Sequence, residues 1–182
     1  MTVAPLRVEI EPGIVLRPLA LDDAAALAAT YARERPFFAP YEPERPADWA
    51  TEPAQAERIG LVLAEAEAGR SVPSVIAAGA EVIGMVNLNN VVRGALQGAD
   101  LGYWLAQSWN GRGLITRSVE SVCAYATALG LHRIAAGTLV DNHRSVAVLQ
   151  RVGFQEIGLA PAYLRIAGRW QDHRLFQRIL HD

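Results

Sequence analysis

Apolar residues change their spacing several times along this chain, and each change marks a predicted element. GIVLRPL (13–19) has the compact alternation of a short opening strand. LDDAAALAATYARER (21–35) predicts a helix with Asp22 or Asp23 at its N-terminus and arginines near its end. Residues 36–53 hold five of the ten prolines with Phe37, Phe38, Tyr41 and Trp49, which predicts irregular structure. AQAERIGLVLAEAEAG (54–69) is helical again, with Gly69 as its stop.

From residue 72 the pattern changes to strands. Residues 71–78, 81–92 and 99–106 are rich in β-branched and aromatic side chains and predict three strands, the first two joined by a tight turn at Gly79-Ala80. Helical spacing returns in 114–130, where Ile115, Val119, Val122, Ala126 and Leu129 share a face and Gly130 caps the end. HRIAAGTLV (132–140) predicts a strand. Asp141 or Asn142 can then cap a short helix through Val152, stopped by Gly153-Phe154. Residues 154–180 supply two antiparallel strands joined around Ala167-Gly168. No repeat or linker divides the chain, so 1–182 is expected to be one α/β (α+β) domain.

Composition narrows the partners. The formal net charge of −2 gives no global attraction to nucleic acid or to an anionic membrane, so any phosphate must be held locally. Cys123 is the only cysteine, which excludes an intramolecular disulfide and fits a reducing compartment. No signal peptide is read in the first residues and no apolar run spans a bilayer, so a cytoplasmic location is expected.

The candidate for local phosphate binding is WNGRGLIT (109–116). A glycine loop lies between a strand and a helix, where the unpaired N–H groups of the first helical turn and the helix dipole both favour an anion. Gly111 and Gly113 let backbone approach a ligand, and Arg112, Arg117 and Arg144 add charge. A plain strand-to-helix turn would also use these glycines. No Gly-Lys-Ser/Thr follows, which excludes a P-loop, and Thr116 stands where a dinucleotide fingerprint needs glycine.

The surroundings favour the ligand. GYWLAQSWNGRGLIT (102–116), VDNHRSVAVLQRVGF (140–154) and the Gly168-x-Trp170-x-Asp172 segment together resemble the GCN5-related N-acetyltransferases, and more narrowly their RimJ/RimL-like ribosomal-protein branch. The family loop reads Gln/Arg-x-x-Gly-x-Gly/Ala. Here Asn110 and Ile115 depart from it, while Gly113 is kept. The resemblance implies a central mixed, mostly antiparallel, twisted sheet of about six to seven strands flanked by about four helices. A splayed strand pair, 99–106 and 132–140, would form the cleft for acetyl-CoA. Tyr103, Trp104 and Leu105 would meet the pantetheine through their backbone, with the side chains of Tyr103 and Leu105 in the core. Asn110, Gly111, Arg112, Gly113, Leu114, Ile115 and Thr116, with Asn142 and Arg144, would hold the rest of the co-substrate. No metal is implied.

Acetyl transfer to an amine requires a deprotonated nitrogen and a stabilised thiolate. Asp100 is the first candidate base, on the same strand face as Gly102 and Trp104, and His143 is the second. Many relatives protonate the sulfur with a Tyr where this chain has Leu149. In the RimJ/RimL-like branch a Ser or Asn lies near the sulfur instead, which points to Asn142 and Ser145. Some relatives carry a Glu just before the position of Tyr163, where this chain has Ala162. Phe37, Phe38, Tyr41, Trp49, Tyr163 and Trp170 are the candidate acceptor residues. Glu42, Glu44, Asp48 and Glu52, partly offset by Arg45, favour a cationic amine. The acceptor is open between a protein N-terminal α-amine and a small-molecule amine, attacked directly in a ternary complex. A catalytically silent CoA-binding sensor is the alternative, and the oligomeric state is open, a homodimer included.

Overall fold

A computed structural model describes residues 3–181 of the chain, so the two ends of the expected 1–182 span lie outside the described residues. The strands are β1 (Val8–Glu11), β2 (Ile14–Pro18), β3 (Val72–Ala78), β4 (Glu81–Val92), β5 (Gly98–Leu105), β6 (Arg133–Leu139), β7 (Gln155–Ile166) and β8 (Arg169–Ile179). The helices are α1 (Ala24–Phe38), α2 (Glu52–Glu67), α3 (Leu114–Ala128) and α4 (His143–Arg151). All eight strands form one sheet in the order β1-β2-β3-β4-β5-β6-β8-β7, and only β5–β6 is parallel.

The sheet has one strand more than the upper expectation. The addition is β1, whose VEIE alternates apolar and charged residues over only four positions at the sheet edge, too short a run to stand out, with Ile10 half-buried against the core. It folds back on β2 through Pro12-Gly13, with Gly13 at φ +78°.

The two faces carry separate cores. On one, α1 and α2 bring Leu27, Tyr31, Phe38 and Ile59 onto Val75, Val82 and Met85. On the other, Val119, Val122 and Ala126 of α3 and Leu149 of α4 pack on Ile76, Val86, Leu101 and Ile134. Alternation along β3 to β6 supplies both faces, which is why these strands read as near-continuous apolar runs.

Residues 36–53 are corrected in part. Helix α1 continues through Pro36 to Phe38 instead of stopping at 35. Proline in the last turn forfeits only the bond to Ala32 O, and Phe38 is anchored by ring contacts to Tyr31 at 6.0 Å and Trp104 at 5.1 Å. Packing outweighs the lost bond. The second helix starts two residues early at Glu52, because Thr51 caps it by accepting from Ala54 N–H at 3.4 Å.

Candidate active site

The site begins where β5 leaves β6. Their parallel pairing holds at three rungs only, Gly98–Arg133, Ala99–Ile134 and Asp100–Ala135. Beyond Asp100, β5 stays with β4 as far as Gly84–Leu105, while β6 stays with β8 as far as Leu139–His173. The edges of β5 and β6 therefore part, exposing main-chain groups to the gap. Gly84 keeps β4 close there, because a Cβ on it would sit 2.7 Å from Trp104 O.

A cleft of about 700 Å³ fills this gap. One wall is β5, through Tyr103, Trp104 and Leu105. A second is the glycine loop and first turn of α3. A third is one side of α4 from its cap Asn142 to Arg151, and Phe37, Phe38 and Tyr41 close the far end. The cleft thus gathers most of the residues singled out from sequence, although they lie in four separate stretches.

The loop is built for a ligand that lies against backbone. Gly111 has φ +82° with open space where a Cβ would be, and Gly113, at φ +72°, is the N-cap of α3. No side chain caps that helix, so its first-turn N–H groups are left for a bound anion. Asn110 tightens the loop by donating to Ala106 O and Gln107 O, both at 3.2 Å. The residue types fit a pyrophosphate: free N–H donors, glycine clearance, and Arg144 and Arg151 on the facing helix.

The arginines of the loop behave differently from the sequence expectation. Arg112 is turned out of the cleft wall, stacked over Trp109 at 4.7 Å and paired with Glu11 of β1. Arg117 meets the same carboxylate at 2.9 Å. The edge strand that sequence missed thus occupies both guanidinium groups, which leaves backbone N–H groups with Arg144 and Arg151 facing the cleft.

At the inner end, Asn142 caps α4 by accepting from Ser145 N–H at 3.1 Å. Tyr103, whose side chain was expected only in the core, reaches across the fork. Its hydroxyl lies 2.8 Å from Ser145 Oγ and donates to Ser145 O at 3.2 Å. Burial pushes this phenol up to about 12.

Asp100 sits on the last paired rung, exposed, and accepts from Asn90 Nδ2 at 2.8 Å. It stands outside the cleft lining, whereas His143 lies within it. Trp49 is not brought to the cleft. It is clasped between Arg45 and Arg58, whose guanidinium carbons lie 4.3 and 5.4 Å from its ring. Desolvation lowers the pKa of Arg58 there. Trp170 is 66% exposed on the β7–β8 hairpin, and Tyr163 packs against His173 at 5.5 Å. That hairpin touches the 36–53 segment: Ala167 N–H donates to Glu42 O at 3.0 Å, and Arg165 lies 3.5 Å from Glu44.

Beside this splayed parallel pair and uncapped glycine-led helix, residues 14–155 match the model of the Acetyltransferase (GNAT) domain. The chain belongs to the GNAT acetyltransferases. Within that family it resembles the RimJ/RimL-like members. The [ribosomal protein uS5]-alanine N-acetyltransferase of Escherichia coli (strain K12) is 34% identical over 169 residues, covering 89% of this chain and 85% of its own. The ribosomal-protein-S5-alanine acetyltransferase of Vibrio fischeri superposes with a TM-score of 0.92 at 29% identity, covering 97% of each chain. Mycobacterium smegmatis RimJ, solved in complex with CoA-disulfide, gives 0.87 at 36% identity, covering 97% of this chain and 86% of its own. As a GNAT enzyme the protein is an acetyl-CoA-dependent N-acetyltransferase. Two contacts escaped the sequence reading. The Tyr103–Ser145 contact had no signal beyond a tyrosine on an alternating strand. The hairpin contact with 42–44 joins residues too distant in sequence to be paired by pattern.

Proposed function

We propose that residues 1–182 act as one domain that acetylates the α-amine at the N-terminus of a ribosomal protein, in the cytoplasm, by direct attack on acetyl-CoA in a ternary complex. Acetyl-CoA supplies the activated acyl group. The chain's own residues do the rest. Backbone N–H groups of 113–116 and Arg144 hold the phosphates, and the open edge of β5 along 103–105 holds the pantetheine and polarises the thioester oxygen. Asn142 and Ser145 face the sulfur.

The observation that carries the acceptor reading is the contact between Glu42, Glu44 and the tip of the β7–β8 hairpin. It ties the loop that follows Phe37, Phe38 and Tyr41 at the far end of the cleft to the hairpin of Tyr163 and Trp170, and in this reading it narrows the cleft mouth. An extended chain end threads such a mouth, whereas a side chain standing on a folded surface is held away from it. The acidic residues of 42–52 favour the ammonium form of the arriving amine. An α-amine of pKa about 8 loses its proton with modest help. Asp100, on the Trp104 face of β5, is the proposed base and acts through water. The uS5 relatives support an alanine-type N-terminus, and their being named transferases disfavours the silent sensor.

The test is acetyl transfer to synthetic peptides copying ribosomal-protein N-termini, read by mass, beside a panel of small amines. Turnover on small amines with none on any peptide sinks the acceptor reading. Asp100→Asn should reduce kcat/KM most at low pH; an unchanged pH profile removes Asp100 from the mechanism.

A further inference from the structure

The best-defined polar contact inside the cleft is one that the donor-binding frame does not need. Tyr103 comes from β5 and Ser145 from the first turn of α4, so their side chains meet across the open fork. Ser145 does not need its hydroxyl for helix capping, because Asn142 already serves its N–H. The phenol stands within reach of two acceptors on that one residue, the hydroxyl oxygen at 2.8 Å and the carbonyl oxygen at 3.2 Å.

Two proton arrangements follow from these distances. In the closed one, Ser145 Oγ–H donates to Tyr103 and the phenol donates to Ser145 O, leaving no proton for the cleft. In the open one, the phenol donates to Ser145 Oγ, and the serine proton is free to point into the cleft. A neutral thioester sulfur is a poor acceptor and leaves the pair closed. Negative charge growing on sulfur selects the open form, so the donor acts mainly where charge develops.

We propose that Tyr103 is a positioning residue that aims the Ser145 hydroxyl at the departing sulfur, so that β5 and α4 jointly supply the leaving-group donor. The inference rests on the acetyltransferase reading and on Ser145 facing the sulfur. The chemistry balances without moving the phenol proton. The N–C bond forms as C–S breaks, the electron pair stays on sulfur, and the nitrogen loses its proton to water. The thiolate, held by Ser145 Oγ–H, takes a proton from solvent. The high pKa of Tyr103 keeps the phenol a donor throughout the working range. His143, Arg144 and Arg151 of α4 and Tyr41 face the same cleft and are unchanged in every variant below.

The experiment compares Tyr103→Phe, Ser145→Ala, Ser145→Thr and the Tyr103→Phe/Ser145→Ala double variant with the wild-type protein. Two readouts are used: steady-state kinetics, and titration of bound CoA by ultraviolet thiolate absorbance, with the complex of a sulfur-free CoA analogue as blank. Each of the Phe and Ala variants should lose about tenfold to a hundredfold in kcat, with KM for acetyl-CoA within about twofold. The double variant should be no slower than the slower single one, and Ser145→Thr should recover most of the rate. The thiol of bound CoA should titrate about one unit below its free value of roughly 8.5 in the wild type and in Ser145→Thr, but not in the other three. Multiplicative losses in the double variant, or an unchanged bound-thiol titration in Tyr103→Phe, overturn the proposal. A wild type that binds CoA with a lowered thiol pKa but acetylates no amine leaves this pair standing and removes the acceptor reading. Failure to bind CoA removes both.

Discussion

The donor end and the acceptor end of the same cleft are made in different ways. The donor end is local. Residues 106–116 form one turn, held by Asn110 on Ala106 and Gln107, and 142–145 form another, held by Asn142 on Ser145. The acceptor end is assembled from distance. Phe38 of α1 meets Trp104 of β5, Glu42 meets Ala167, and Glu44 meets Arg165. A site made from one short loop keeps its geometry whenever the loop folds. A site made from three remote segments depends on the whole sheet and can change its selectivity without disturbing the donor.

The largest expected effect breaks the donor end alone. Gly113→Glu puts a Cβ at φ +72°, 3.2 Å from Arg117 Nη1, and a carboxylate beside the pyrophosphate. CoA affinity should fall on the order of a thousandfold with the far-ultraviolet spectrum unchanged, measured by calorimetry; normal affinity in the folded variant refutes the loop assignment. Phe38→Ala does the converse. It empties a buried site against Tyr31 and Trp104 and should cost about 3 kcal/mol of stability in denaturant unfolding, with acceptor turnover lost before CoA binding.

Alkaline unfolding separates the two ends by tyrosine. Burial raises the pKa of Tyr103 from the ordinary 10.0 to about 12, so its phenolate is favoured in the unfolded chain. The stability it supports is complete below pH 10 and falls as pH rises toward 12, by roughly 2–3 kcal/mol over that span. Tyr103→Phe should flatten this fall; an unchanged alkaline limb would place the titration in Tyr31, also raised by burial. Tyr41→Ala should raise acceptor KM about tenfold and leave KM for acetyl-CoA unchanged, because Tyr41 lines only the far end. The smallest effect is the most specific. Glu44→Gln loosens an exposed ion pair worth under about 1 kcal/mol, so stability should hold. A gain in acetylation of internal lysines on a folded protein would show that this contact gates the acceptor, and none would mean that Ala167–Glu42 alone bridges the mouth.

The β-branched and aromatic runs from 71 to 106 and the i, i+4 spacing of α3 gave their elements directly, because strands buried on both faces and a helix buried on one each leave a local pattern. Asn142 as a cap and Gly113 at a left-handed position were legible for the same reason: each answers a local backbone need. β1 was not, since four residues that bring only Ile10 partly against the core are too short a pattern to mark a strand. Nor was the last turn of α1, where ring packing at Phe38 overrides Pro36.

The sequence by itself determined the sheet-forming core, the glycine loop and the capped helix behind it. These rest on contacts within a few residues, and with the motifs around them they identify the donor. Only the tertiary structure decided that Arg112 turns to Glu11 rather than to the cleft, that Trp49 is held between two arginines, and that Tyr103 reaches Ser145. Each of those is a choice among partners far apart along the chain. Pattern and propensity give a side chain its face, and the packed sheet gives it a neighbour.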